Sequence, residues 1–284
     1  MMITLQNTRL TLSLAEMGAE MKSLLLDGKE QLWDARPEVW GSTAPLLFPI
    51  CGGLKNDTYT YGGKTYTLPK HGYARRTLFS VESADVTRAV FLHLSNTETH
   101  TCFPFDYELR VIYELKESSV AVTYEVKNRT DGEMLFSIGS HEAYYTPEGI
   151  EDYDVVFPQS ETLDSYVLYG NLLSSQRLPI LKDSSVLPLY EKYFTVDALV
   201  FKDLKSRTAT LRNRKTGRAI AVDFPDAPYF LLWHKPNAPY ICLEPWAGIQ
   251  DPDSSDGQLS NKEGILRLDR GEVYRSTHVI RFLS

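Results

Sequence analysis

The chain has 284 residues, 43% of them hydrophobic and 24% charged, enough apolar content for a substantial core. Its net charge of −7 is spread over interleaved acids and bases, which argues against a nucleic-acid partner and against an acidic tail. No stretch reaches the roughly 18 apolar residues of a membrane-spanning helix, and the opening MMITLQNTRLTLSL lacks basic and apolar leader regions, so a cytoplasmic location is expected.

In chain order, a first helical turn is expected near Arg36 to Trp40. Residues 88–95 (RAVFLHLS), 107–115 (YELRVIYEL) and 120–127 (VAVTYEVK) alternate apolar and polar positions with a period of two. They read as strands with one buried face, the last two joined at Glu117-Ser118-Ser119. Residues 153–157 read as a further strand, and a second helical turn is expected around Pro188 to Phe194. Residues 208–212 and 218–224 read as a strand pair turning at Lys215-Thr216-Gly217. The longest stretch without regular structure is 249–264, and loops of that length in compact domains commonly cover a site. With helical periodicity scarce and no linker or repeat, residues 1–284 are expected to form a single all-β domain, a large antiparallel β-sandwich.

Three clusters carry polar chemistry. LPKHGYARR (68–76) places His71 and Arg75 in a turn, an imidazole and a guanidinium suited to oxygen-rich ligands; on composition alone it reads more readily as a solvated surface turn. LFSIGSHEAYY (135–145) ends an apolar stretch on His141, the side chain best able to exchange a proton near neutral pH; a core histidine bonded to a backbone carbonyl is the plain alternative. YICLEPWAG (240–248) puts Glu244 at the end of an apolar strand beside Trp246, where burial would raise its pKa and make it a usable base. Trp233 and His234 follow nearby, and aromatic faces suit the C–H face of a sugar as well as they suit a core.

Other motifs fail on spacing. Counting a calcium loop from Asp251 puts Asp256 at the glycine position and brings the closing acid one place late, at Glu263. Gly52-Gly53 and Gly62-Gly63 lack the Lys-Ser/Thr ending and helix context of a phosphate loop. Cys51, Cys102 and Cys242 are widely separated, form no Cys-x-x-Cys pair, and read as free thiols, so no metal site is expected.

Together, in this order, the clusters resemble the aldose 1-epimerase (galactose mutarotase) family, in particular its LacX-like branch. FPICGGLKNDTYTYGGKTYTLPKHGYAR resembles the family's block ending in HGFAR, SIGSHEAYY its IG.HPYF strand end, and YICLEPWAGIQDPDSSDGQLSNKEG its CIEPW.G.AD…KEG ending. The resemblance implies an antiparallel β-supersandwich and a small sugar as partner, with no cofactor and with a monomer or homodimer. It also implies Glu244 as catalytic base, His141 as general acid, His71 and Arg75 as substrate-binding residues and, by a looser match, Asp197; Trp233, read above as an aromatic face for a sugar, completes the expected substrate-binding set. Gly53 stands where the family usually carries Arg, and Glu142-Ala143 replaces the Pro-Tyr that often follows the histidine. A hexose-phosphate mutarotase using Lys55, Arg75 and Arg76 as a cationic pocket, and a non-catalytic carbohydrate-binding protein, are the competing readings. A glycosidase needs two facing carboxylates, and only Glu244 is well placed.

Overall fold

The computed structural model describes residues 1–283. Nine antiparallel strands form the larger sheet. Its order from one edge is Leu172–Pro188, Tyr153–Tyr169, Thr208–Asn213, Ala219–Asp223, Val273–Leu283, Ser119–Asn128, Tyr107–Lys116, Arg88–Leu94 and Ser80–Ala84. The period-two patterning works as expected in the middle of this sheet. Tyr107, Leu109, Val111, Tyr113 and Leu115 are buried while the residues between them face out. Each such buried side chain is worth roughly 1.5–3 kcal/mol relative to exposure.

A smaller sheet packs against this core. It runs in the order Leu199–Phe201, Tyr229–Trp233 and Tyr240–Ala247, and the last strand pairs on its far side with both Ile138–Gly139 and Glu142–Tyr145. All eight residues of Tyr240–Ala247 are buried, as a strand covered on both faces must be. An N-terminal four-stranded meander, Met2–Gln6, Leu10–Ala15, Met21–Leu26 and Lys29–Glu30, and the hairpin Thr58–Tyr61 with Lys64–Thr67 complete the β-structure.

The expected turns form, and one strand is longer than expected. Arg36 to Trp40 forms one hydrogen-bonded turn, with Val39 and Trp40 N–H groups both donating to the Arg36 carbonyl, and no helix follows it. The strand read at 153–157 runs on to Tyr169 and pairs with Leu172–Pro188, each 17 residues long. Several register shifts bend this hairpin and break the alternation that would have revealed it. The second turn appears as the 3-10 helix Glu191–Phe194. No helix among the described residues is long and apolar enough to cross a membrane.

Candidate active site

Alternation along Tyr240–Ala247 puts Tyr240, Cys242, Glu244 and Trp246 on one face and Ile241, Leu243, Pro245 and Ala247 on the other. The neighbouring chain pairs as Ile138 with Ala247 and Gly139 with Trp246, then, after a gap, as Glu142 with Leu243. The register is the same on both sides of the gap, so His141 lies opposite Glu244. Pro245 explains the gap. The Ser140 N–H donates to the Pro245 carbonyl at 3.2 Å, but proline has no N–H to return. The Trp246 indole N–H satisfies the Ser140 carbonyl instead, at 3.0 Å. Glu244 is therefore in mid-strand and His141 sits between two strand segments, whereas the sequence reading put each at a strand end.

His141 Nε2 and Glu244 Oε2 are 3.4 Å apart. Glu244 is 1% exposed and His141 9%, and the other polar atom of each, Glu244 Oε1 and His141 Nδ1, has no hydrogen-bond partner. Burial pushes the Glu244 carboxyl well above its usual range; the Lys70 charge opposes this, while Asp197 and Glu142 add to it. Burial likewise depresses His141 to about 3, with Lys70 and Arg75 adding to the fall. Burial thus biases both groups toward their neutral forms, raising the Glu244 carboxyl and depressing the His141 imidazole.

His71 is fixed from both ends by Gly52: its own N–H donates to the Gly52 carbonyl at 2.8 Å, and its Nδ1 accepts the Gly52 N–H at 3.1 Å. Burial, then His141 and the nearby cations, drive its pKa well below the usual value. With Nδ1 accepting, the neutral ring carries its proton on Nε2. The turn that presents His71 has φ of 68° at both His71 and Gly72, and a Cβ at Gly72 would approach the Phe48 carbonyl oxygen to 2.2 Å. Only glycine fits there.

All six residues expected from sequence, Glu244, His141, His71, Arg75, Asp197 and Trp233, line one cleft of about 270 Å³. Arg75 donates to the Lys70 carbonyl at 2.9 Å while its Nε has no partner. Asp197 Oδ2 stands 4.0 Å from Lys70 Nζ. Trp233 and Trp40 flank His141, with ring centroids at 5.6 and 5.2 Å. Lys70, Trp40, Asn171 and Gln250 also line the cleft, and sequence reading does not single them out. Lys70 stands inside the quoted LPKHGYARR block and Trp40 in a turn bounded by Gly41; proximity to His71 is the one signal that could have marked Lys70. Lys55 and Arg76, offered for a cationic pocket, do not line it, and Lys55 Nζ instead donates to the Ser255 carbonyl.

Donor atoms of His141, Cys242 and Glu244 lie within 4.8 Å of one another, so these residues are the group best placed to hold a cation among the described residues. Loop 249–264 closes over its own ion pair, Lys262 Nζ to Asp251 Oδ1 at 2.7 Å with both side chains buried. The ammonium neutralises the aspartate inside a segment whose spacing had failed as a calcium loop.

Known proteins resemble this chain over its whole length. The LacX protein of Lactococcus lactis subsp. lactis is 35% identical over the full length of both chains. The crystal structure of a galactose mutarotase related enzyme from Lactobacillus acidophilus superposes with a TM-score of 0.95 at 34% identity, covering 100% of this chain and 98% of the other. A galactose mutarotase-like protein from Lactobacillus casei ATCC 334 superposes with a TM-score of 0.94 at 28% identity, with full coverage of both chains. The sequence profile described as aldose 1-epimerase matches residues 1–281, and the chain belongs to that family.

Proposed function

We propose that the protein interconverts the α and β anomers of a free aldose by acid–base ring opening and reclosure. The observation that carries this reading is the in-register pair, His141 Nε2 to Glu244 Oε2 at 3.4 Å, facing a ligand-sized cleft. The anomeric hydroxyl and the ring oxygen hang on one carbon. Glu244 as carboxylate takes the hydroxyl proton while His141 as imidazolium gives one to the ring oxygen, and the C1–O5 bond breaks. Rotation about C1–C2 and the reverse transfers close the ring with the other anomer. A neutral pair and the charged pair of this step hold the same single proton, so interconverting them needs no net proton uptake.

His71 Nε2–H donates to a sugar oxygen, and Trp233 and Trp40 offer apolar faces to the ring. The Lys70 charge already stands near Asp197, and Arg75 is the remaining cation of the lining. That balance supports a neutral aldose over a sugar phosphate, which needs several unmatched cations. Polarimetry on freshly dissolved α-anomers of a panel of aldoses and of glucose 6-phosphate tests the reading. Accelerated exchange of a neutral aldose is expected. A protein that leaves every rate at its spontaneous value overturns catalysis, and preference for the phosphate overturns the substrate class.

A further inference from the structure

The Gly52-Gly53 pair is no phosphate loop, yet the fold uses both glycines. A Cβ at Gly52 would meet Gln250 Cβ at 2.4 Å and its Oε1 at 2.8 Å. A Cβ at Gly53 would meet Asn171 Cβ at 2.6 Å and its carbonyl oxygen at 3.0 Å. Gly52 has a φ of 70°, which independently favours glycine, whereas Gly53 is absent from the positive-φ positions. At Gly53, then, the missing side chain makes room for a neighbour.

That neighbour arrives from far away in sequence. Asn171 is at the turn between the two 17-residue strands, at the tip of the long hairpin. Backbone bonds fasten the tip to the glycines through loop 249–264: Asp251 N–H to Gly53 O and Leu173 N–H to Asp251 O, both at 2.9 Å. Gln250 enters from the same loop. Both residues line the cleft that holds Glu244 and His141. Gln250 is 3% exposed, and its Oε1 is buried with no hydrogen-bond partner. An unpaired buried acceptor of this kind is satisfied when a hydroxyl donates to it. A carboxamide both donates and accepts, as a sugar hydroxyl does, and bears no charge.

We propose that Gln250 and Asn171, seated on Gly52 and Gly53, form a carboxamide pair that reads sugar hydroxyls and decides which aldose the cleft accepts. The inference rests on the aldose reading above and extends it to the choice of sugar. A site built to hydrogen-bond a hydroxyl rejects the analogue that lacks it, so selectivity follows from the amide left unpaired. Gln250, being enclosed, discriminates more strongly than Asn171 on the rim.

The test uses Gln250→Leu, Asn171→Ala and Gly53→Ala against the preferred aldose and its monodeoxy analogues, with KM and kcat from polarimetry and affinity from calorimetry. Gln250→Leu is expected to raise KM about tenfold or more and Asn171→Ala about three- to tenfold, with kcat nearly unchanged. Gly53→Ala, by displacing the hairpin tip, is expected to match Asn171→Ala. For the deoxy sugar that lacks the hydroxyl being read, parent and variant should be equal. Unchanged KM values, or an equal loss on every deoxy sugar, would overturn the assignment. A parent protein that binds aldoses without turnover defeats the catalytic reading alone, because the affinities still decide this one; a parent that binds no aldose removes both.

Discussion

Two buried histidine–glutamate pairs stand back to back in this protein. His141 and Glu244 face the cleft at 3.4 Å, while Glu142, the next residue along, points the other way and meets His278 at 3.0 Å in the core between the sheets. Both pairs are almost fully enclosed. Aromatic rings flank both, Tyr124 at 5.7 Å from His278 and Trp40 and Trp233 at 5.2 and 5.6 Å from His141. Glu142 Oε2 of the rear pair is unpartnered, as Glu244 Oε1 and His141 Nδ1 are, but the space beside His278 is only about 20 Å³ whereas the front pair faces a cleft of about 270 Å³. Burial and pairing are therefore shared by a structural device and by the candidate catalytic one. Access to a ligand distinguishes them.

The comparison is sharpened first by activity. Glu244→Gln and His141→Asn are each expected to lower mutarotation by about 10²–10⁴, measured polarimetrically, with the far-ultraviolet spectrum unchanged. Variants as fast as the parent would remove the front pair from catalysis. The rear pair should respond in the opposite currency. Glu142→Ala leaves His278 without its partner in the core and is expected to cost about 3–5 kcal/mol in denaturant unfolding, while the folded fraction keeps kcat/KM within about threefold. A severe loss of turnover without loss of stability would erase the distinction drawn here.

A third measurement concerns pH. On the proposed mechanism the front pair works while it holds one proton, so the acid limit is set by adding a second proton to His141 and the alkaline limit by losing the one on Glu244. With His141 depressed to about 3 and Glu244 raised, the kcat/KM plateau should extend well below the ordinary histidine value and above the ordinary carboxylate range. An acid limb centred on the ordinary histidine value would contradict this. The smallest effect is on stability. A carboxyl with a raised folded pKa binds more protons folded than unfolded, so stability falls as pH rises from the ordinary carboxylate range through the raised value. Glu244→Gln removes that loss. Its Tm should exceed the parent's at about pH 8 by a few degrees, at roughly 2–4 °C per kcal/mol, and the gap should close near pH 4. A variant less stable at both pH values would mean that the Glu244 charge stabilises the fold.

Much of this was legible in the chain. The alternation in 107–115 and 120–127 gave the central hairpin within a residue or two, because each strand there has one buried and one exposed face. Glu244, His141 and His71 stood out as polar residues in apolar or turn contexts. Patterning failed where long-range contacts decide the outcome. The hairpin of 153–188 is bulged and largely polar, so nothing local announces its length or that Asn171 reaches Gly53. Trp40 reads as a turn residue and becomes a wall of the cleft because the chain folds it against His141. Glu142, a departure from the family pattern, takes its meaning from His278, far along the chain and invisible without the sheet register.

Pro245 ties these threads together. By denying Ser140 one backbone partner, it opens the pairing beside His141 while leaving the register intact, so His141 and Glu244 are positioned by strand arithmetic alone. Connecting segments supply the amides, the lysine and the arginine around them. The connecting segments can therefore change in sequence without disturbing the strand pairing that sets His141 opposite Glu244.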